Sequence, residues 1–195
     1  MAKARVIDKW KMKKWYAVIA PDMFESREIG QLPADDDSKI MNRLVRISLG
    51  DVTGDLSQAY TLLLFRVIEV KGKSAYTKLV GHELSPSYLR SLVRRKRDII
   101  NEVVDVVTKD GVSIRVKMSI YTARKASSPA KTAVRNAAHA EMIARAKEMT
   151  FPTYEQEIVF GKFSSRIYKA IKKILPIKRV EVRKTEVKEA FAASS

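Results

Sequence analysis

The chain has 195 residues, and its 38 Lys and Arg against 22 Asp and Glu give a formal net charge of +16. Because so large an excess raises the self-repulsion of a compact protein, it predicts a polyanionic partner, most commonly nucleic acid. The 46% of hydrophobic residues and the lack of cysteine exclude a disordered chain, a disulfide framework and thiolate metal sites.

The first 14 residues form a predicted basic arm. Cations dominate it and few apolar side chains are available for burial, so we expect it to become ordered only against a partner. Contact with RNA is the favoured interpretation, and a solvated tail is the alternative. The cations assigned to RNA binding here are Lys3, Arg5, Lys9, Lys11, Lys13 and Lys14. The arm lacks the hydrophobic stretch of a signal peptide, and no apolar run in the chain approaches the ~20 residues of a membrane span, so we expect a soluble intracellular protein.

Strand patterns dominate residues 15–80. Residues 43–49 alternate apolar and polar side chains, which is typical of a half-buried strand, whereas residues 61–70 are apolar on both faces and predict a central strand. A turn at residues 71–73 leads into another strand over residues 75–80. The other predicted segments here are a strand over residues 15–20 ended by Pro21, a polar loop over residues 33–39 and a turn over residues 51–55.

A helix is predicted to begin at Pro86, with Ser85 as its N-cap. Apolar residues continue at helical spacing to Val103 with arginines opposite them, so we expect a helix with a dense cationic face. Strand pattern returns over residues 103–108 and 112–121. Because Asp110 and Gly111 separate these two runs, they predict a β-hairpin.

The C-terminal part of the chain alternates basic segments with helices. Residues 124–131 are a predicted basic, flexible link, and an Ala-rich helix follows over residues 132–149. Thr153 and Gln156 predict a capping box for a short helix over residues 154–160. The remaining predicted segments are a helix capped by Ser164 or Ser165 and stopped by Pro176, a last strand at Val180 and Val182, and a flexible tail over residues 189–195. Together these elements predict a single α+β domain over residues 15–188, with mostly antiparallel strands and about four helices.

The sequence offers little enzyme chemistry. His82 and His139 lack the spacing of metal ligands to another His or Cys, and each is expected to be structural or exposed. The acidic residues 35–37 could bind Mg²⁺, but such a loop is usually solvated. No phosphate-binding P-loop and no Gly-x-Ser-x-Gly motif is present. We therefore predict a protein that is not an enzyme, with no cofactor, no metal and no small-molecule substrate; an enzyme acting on an anionic substrate is the weaker alternative.

Three further basic clusters predict an RNA-binding surface. Lys and Arg contact phosphates through charge, and Arg adds bidentate hydrogen bonding. Each cluster alone could be a solvated face, but three of them together with the arm favour RNA. The residues assigned to RNA binding are Arg90, Arg94, Arg95, Lys96 and Arg97; Arg124, Lys125, Lys131 and Arg135; and Lys169, Lys172 and Lys173.

The aromatic residues add less. Trp10, Trp15 and Tyr16 could stack on bases, although at least one of Trp15 and Tyr16 should be core. Since no base-reading motif is present, recognition of backbone and shape is expected. Two other classes stay open, a free-standing RNA-binding regulator of translation and a membrane-surface protein that uses the basic helix over residues 166–175.

Five stretches in chain order resemble the small-subunit ribosomal protein family S-one-e, formerly S-three-a-e, in its archaeal form. The first is Lys-Trp-Tyr-Ala-Val-Ile-Ala-Pro-Asp-Met-Phe at residues 14–24. The others are Ile-Ser-Leu-Gly-Asp at 47–51, Leu-Arg-Ser-Leu-Val-Arg-Arg at 89–95, Val-Asp-Val-Val-Thr-Lys-Asp-Gly at 104–111, and Ile-Leu-Pro at 174–176 with Val-Glu-Val-Arg-Lys at 180–184.

This resemblance implies a β-barrel-like core flanked by helices. It implies a place in the cytoplasmic ribosome, on the platform of the small subunit, near the mRNA exit and the 3′ end of the small-subunit rRNA. The implied partners are that rRNA, neighbouring small-subunit proteins and mRNA near the exit site. The family offers no catalytic residues to carry over, and the RNA-contact residues named above depend on charge alone.

Overall fold

The computed structural model describes residue 10 and residues 13–189. The strands of this part of the chain are β1 (Lys14–Ile19), β2 (Glu28–Ala34), β3 (Leu44–Ser48), β4 (Thr61–Lys71), β5 (Ser74–Leu84), β6 (Ile99–Val107), β7 (Ser113–Thr122) and β8 (Ile177–Val187). The helices are α1 (Leu49–Thr53), α2 (Pro86–Leu92), α3 (Ser128–Glu148), α4 (Phe151–Val159) and α5 (Lys162–Ile171). Short 3-10 turns cover Asp22–Phe24, Asp37–Lys39 and Leu56–Gln58.

Strand β5 links the two parts of the sheet. One of its edges pairs with β4 along its length, and the other pairs with β1 near Ser74 and with β8 at Glu83. The hairpin of β6 and β7 joins the sheet through β8, which is antiparallel to β7. The strand order is therefore β2-β1-β5-β8-β7-β6, with β4 and β3 branching from β5.

The α+β class is confirmed, but the barrel-like core is not. The described strands form a mixed sheet that does not close, in which β1 and β5 are parallel and the other pairs are antiparallel. Closure is prevented because β5 divides one edge between β1 and β8, so the sheet branches instead of curling onto itself.

The main core lies between the β6-β7-β8 part of the sheet and helices α3, α4 and α5. Strand β7 directs Ile114, Val116, Met118 and Ile120 into it, which confirms the alternation read from the sequence. The aromatic ring of Tyr154 meets that of Phe163 edge to face, with 5.3 Å between their centroids. A smaller core under β3, β4 and β5 includes a similar contact between two phenylalanines, Phe24 and Phe65. The larger core thus fixes the helices against β6, β7 and β8.

The helix predicted to begin at Pro86 does begin there, but it is much shorter than expected. Helix α2 ends at Leu92, Val93 is extended and Lys96 has a φ of 61°. The cations of residues 94–97 therefore lie in a loop and not on a helix face. Like charges at helical spacing destabilise a helix, and the β-branched residues from Ile99 onward pair with β7 instead.

Several other boundaries differ from the predictions. Strand β2 was not predicted, residues 51–55 belong largely to α1, and α3 begins at Ser128 inside the predicted flexible link. Ser85 is the N-cap residue of α2, as predicted, but the predicted caps of the last two helices are wrong. The N-cap residues are Thr150 for α4 and Gly161, with a φ of 74°, for α5, so Thr153, Ser164 and Ser165 lie inside helices. Pro152 lies in the first turn of α4, where a backbone N–H has no partner within the helix, so its missing N–H removes no hydrogen bond. The helix therefore begins earlier than predicted, at Phe151.

Candidate nucleic-acid interface

A buried polar network holds β8 against β5. The backbone N–H of His82 donates to the hydroxyl of Thr185 at 3.0 Å, and that hydroxyl donates to the carboxylate of Glu155 on α4. The His82 ring lies 3.1 Å from the same carboxylate through Nδ1, and its Nε2 donates to the Val182 carbonyl at 3.1 Å. His82 is therefore structural, as predicted, and the network fixes where β8 starts to diverge from β5.

The pairing of β6, β7 and β8 brings three basic loops to one end of the sheet. The loop over residues 93–98 meets the end of β7, because the Thr122 N–H donates to the Asp98 carbonyl at 3.0 Å. The next residue, Ala123, donates its N–H to the Pro176 carbonyl at 2.9 Å, which joins the loop after β7 to the turn before β8. We call this surface the basic end: Arg94, Arg95, Lys96, Arg97, Arg124, Lys125, Lys172 and Lys173, all exposed.

Asp98 organises the basic end from within. Its carboxylate accepts hydrogen bonds from the backbone N–H of Ala126 and from Lys131 Nζ, each at 2.9 Å. These donors hold the pKa of the Asp98 carboxyl below its usual value, the Ala126 N–H being the larger influence and Lys131 the next. The carboxylate thus connects the loop before β6 with the loop that leads into α3.

Replacing Asp98 by Asn should lower the melting temperature at neutral pH. In acid, the melting temperatures of the variant and the wild-type protein should converge. A carboxyl with a lowered folded-state pKa binds fewer protons when folded, so its stabilisation is present above its ordinary pKa of 3.8 and is lost as pH falls toward the folded value. Melting temperatures of both proteins should be measured from neutral pH downward. Asp36→Asn, at an exposed carboxylate, controls for the loss of one charge, and a pH-independent Asp98 effect would contradict the assignment.

Ion pairs separate the predicted RNA-binding residues into two groups. Lys131 pairs with Asp98 at 2.9 Å and Arg135 approaches Glu102 at 3.9 Å, so their charges are partly compensated within the protein. Among the residues that the structure describes, no carboxylate forms an ion pair with any of the others, which are Lys13, Lys14, Arg90, Arg94, Arg95, Lys96, Arg97, Arg124, Lys125, Lys169, Lys172 and Lys173. Uncompensated cations on a surface are the ones available to phosphates.

The described part of the basic arm lies away from the basic end. Lys13 and Lys14 are at the start of β1, which pairs with β5 at Ser74, whereas the basic end lies beyond the start of β8 at Ile177. The path along β5 and β8 between these points is roughly 50 Å at about 3.3 Å per residue. The structure therefore does not join the arm to the other clusters. Four of the arm's predicted RNA-binding residues lie outside the described residues: Lys3, Arg5, Lys9 and Lys11.

The three aromatic residues near the arm have different surroundings. Tyr16 is only 2% exposed and donates a 2.5 Å hydrogen bond to Asp37, which confirms that one of the Trp15–Tyr16 pair is core. Trp15 is 56% exposed and Trp10 is 60% exposed, and Lys13 Nζ lies 4.0 Å from the centroid of the Trp10 ring. The two tryptophans thus have the exposure that base stacking requires.

Sequence reasoning missed a cleft that adjoins the basic end. It has a volume of about 740 Å³ and lies where β8 diverges from β5, with one face of α5 on one wall and the start of β4 and the end of β5 on the other. Phe160, Tyr168, Lys169 and Lys172 are among its lining residues. The sequence holds no local signal for this cleft, because the 47% exposure of Phe160 is visible only in the folded structure.

The remaining sequence features contribute no further site. Within residue 10 and residues 13–189, no cluster of three His, Cys, Asp or Glu could hold a metal ion. The acidic residues 35–37 bond within the protein instead, Asp35 to Lys39 at 3.0 Å and Asp37 to Tyr16. In the same part of the chain, no helix is both long enough and apolar enough to span a membrane.

Known proteins resemble more than nine-tenths of this chain. The model of the Ribosomal S3Ae family matches residues 1–190. The protein called small ribosomal subunit protein eS1 from Saccharolobus islandicus is 45% identical over 180 residues, which cover 92% of this chain and 86% of that protein. The protein of the same name from Sulfurisphaera tokodaii is 44% identical over 191 residues, covering 98% of this chain and 99% of that protein.

Proposed function

Because this chain belongs to the Ribosomal S3Ae family, we propose that it is a structural component of the small ribosomal subunit that binds rRNA through its basic end. The observation that carries the proposal is the convergence of three basic loops, separated in sequence, on one end of the sheet. The family consists of structural ribosomal proteins, and the chain is accordingly not an enzyme. Its place is in the cytoplasmic ribosome.

The mechanism is charge neutralisation on a preformed scaffold. The cations of residues 94–97 and 124–125 extend from loops whose backbones are tied to each other by hydrogen bonds, so little of the surface must be ordered on binding. Arginines in this set can hold phosphate oxygens in bidentate fashion, and each contact releases counterions from the RNA. Because the loops carry no base-reading motif, the contacts fix position and shape and leave the sequence unread.

We also propose where in the small subunit the chain lies. The family resemblance supports a position on the platform of the small subunit, near the mRNA exit and the 3′ end of the small-subunit rRNA. The partners there are the rRNA, neighbouring small-subunit proteins and mRNA near the exit site. The exposed apolar residues Ile99, Val103 and Val107 on one face of β6 suit a protein neighbour, since such side chains are depleted from surfaces that meet RNA alone.

Ultraviolet cross-linking of purified small subunits tests this proposal. We expect peptides spanning residues 93–98 and 123–127 to carry cross-linked nucleotides, and we expect those nucleotides to lie near the 3′ end of the small-subunit rRNA. Peptides around Lys109 and Lys147, at the opposite end of the β6-β7 hairpin, provide the internal control. Cross-links confined to that opposite end would contradict the proposed surface, and nucleotides far from the 3′ end would contradict the platform position.

A further inference from the structure

The cleft between β5 and β8 exists because the two strands pair at a single point. They are bridged at Glu83 and Lys184, and before that point Lys178–Val182 turns away toward β7. The gap is walled by α5 and by the start of β4 and the end of β5, and its volume is about 740 Å³. Since ligand pockets typically measure roughly 300–1,000 Å³, the cleft admits individual nucleotides and excludes a double helix.

The charge of the cleft is positive and mostly uncompensated. Lys169, Lys172 and Lys178 line it, all three are exposed, and no ion pair with a carboxylate is formed by any of them within the described residues. One acidic residue also lines the cleft, Glu181, and its carboxylate is occupied by Arg179 at 2.5 Å and by the Tyr88 hydroxyl at 2.9 Å. The three lysines therefore determine the sign of the potential there.

The cleft and the basic end form one surface. Lys172 belongs to both, because it ends the lining face of α5 and begins the turn that leads to Pro176. Ser165, Lys169 and Lys172 follow one another at helical spacing and share the face of α5 that borders the cleft. A strand of RNA held by the basic end can thus continue into the cleft without crossing an uncharged barrier.

Aromatic side chains complete the lining. Phe160 is 47% exposed at the end of α4, although a phenylalanine is ordinarily buried. Tyr168 is half-buried and lies one helical turn before Lys172. The Nζ of Lys172 lies 5.8 Å from the centroid of the tyrosine ring, so this ring is already in contact with a cation. Tyr60 also lines the cleft, but its ring stacks on that of Tyr88 with 3.9 Å between the centroids. The open ring is therefore that of Phe160, and it offers an aromatic face beside cations, which is the combination that binds unpaired nucleotides.

We propose that this cleft binds an unpaired RNA segment, with phosphates on Lys169, Lys172 and Lys178 and a base stacked on Phe160. The inference depends on the proposed rRNA-binding function and adds a second, single-strand-specific site to it. Stacking is tolerant of base identity, so the site selects unpaired over paired RNA and does not select a sequence. The basic end, by contrast, contacts the phosphates of either form.

Fluorescence anisotropy of the full chain with a labelled oligouridine and with a blunt RNA duplex tests this inference. Phe160→Ala should weaken oligouridine binding about tenfold, since one stacked base is lost, and should leave duplex binding unchanged. Phe160→Trp should retain oligouridine binding, which keeps the test valid if the alanine variant folds poorly. Changing Lys169 and Lys172 together to Gln should lower the slope of log affinity against log salt by about one per phosphate contact.

Matched variants separate the cleft from the rest of the surface. Val107→Ala removes a side chain that is 55% exposed on β6, and the pair Lys109→Gln and Lys147→Gln removes two exposed lysines far from the cleft. Equal oligouridine affinity for Phe160→Ala and Val107→Ala would overturn the inference. If the Phe160→Ala protein also entered small subunits normally, the proposed rRNA-binding function would still hold. The cleft would then be a contact site for a neighbouring protein and not for RNA.

Discussion

Replacing Arg94, Arg95 and Arg97 together by Glu is expected to abolish incorporation of the chain into small subunits. All three side chains are exposed, and they form no ion pair within the described residues, so their reversal removes no internal contact and should leave the fold intact. Each charge-assisted hydrogen bond to phosphate contributes about 1.5–3 kcal/mol, so losing three of them should reduce rRNA affinity by about a thousandfold or more. Incorporation is measured by sedimentation of tagged protein, and folding by circular dichroism.

The control makes the same change in net charge elsewhere. Arg46, Lys109 and Lys147 are exposed and lie outside the loops that form the basic end, so their replacement by Glu should permit incorporation. If both triple variants failed equally, net charge and not the basic end would be responsible. A folded Arg94, Arg95, Arg97 variant that entered subunits at the wild-type level would exclude these residues from the essential contacts.

Replacing Gly81 by Ala is expected to lower the free energy of unfolding by about 3 kcal/mol or more. A Cβ at this position would lie 2.1 Å from the backbone carbonyl oxygen of Thr185, far inside contact distance. Because that oxygen belongs to β8 and not to a flexible side chain, the two strands must separate. Their separation would also break the 3.0 Å hydrogen bond from the His82 N–H to the Thr185 hydroxyl. Chemical denaturation measures the change.

Gly30→Ala is the matched control. Gly30 also lies in a strand, but no atom comes within 4 Å of the position of an added Cβ. Its replacement should change the free energy of unfolding by no more than about 0.5 kcal/mol. A loss of less than about 1 kcal/mol for Gly81→Ala would mean that β5 and β8 do not approach each other as described.

The elements that the sequence predicted well are those specified by local patterns. Period-2 alternation in β7 and the Asp110-Gly111 turn define the β6-β7 hairpin, and the turn at Gly72, with a φ of 62°, defines the β4-β5 hairpin. The start of α2 at Pro86 follows from the fixed φ of proline. In each case neighbouring residues contain all of the information that the element requires.

The candidate site was predicted only in part because it depends on contacts between distant residues. Lysines and arginines of residues 94–97, 124–125 and 172–173 were recognised as basic, but their convergence depends on the pairing of β7 with β8. The internal ion pairs of Lys131 and Arg135 also depend on that arrangement. Helical spacing after Leu92 was misleading, since pairing with β7 overrode it.

The cleft could not have been predicted from spacing at all. It requires the backbone of β8 to pair with that of β5 only at Glu83, and that geometry follows from Gly81, Thr185 and Glu155, which are far apart in the sequence. Nothing in the sequence near Gly81 shows that this position must be glycine. The requirement arises only because Thr185 lies against it in the fold. Long-range packing of this kind is decided by the whole fold and leaves no local signature.

Sedimentation of a native lysate on a sucrose gradient, with immunodetection of this chain before and after a moderate salt wash, tests the central claim most directly. We predict that the chain sediments with the small subunit and remains there after the wash, because many phosphate contacts must be lost together before it dissociates. A free-standing RNA-binding regulator would be removed by the salt. A signal confined to the top of the gradient in both conditions would contradict the ribosomal function proposed here.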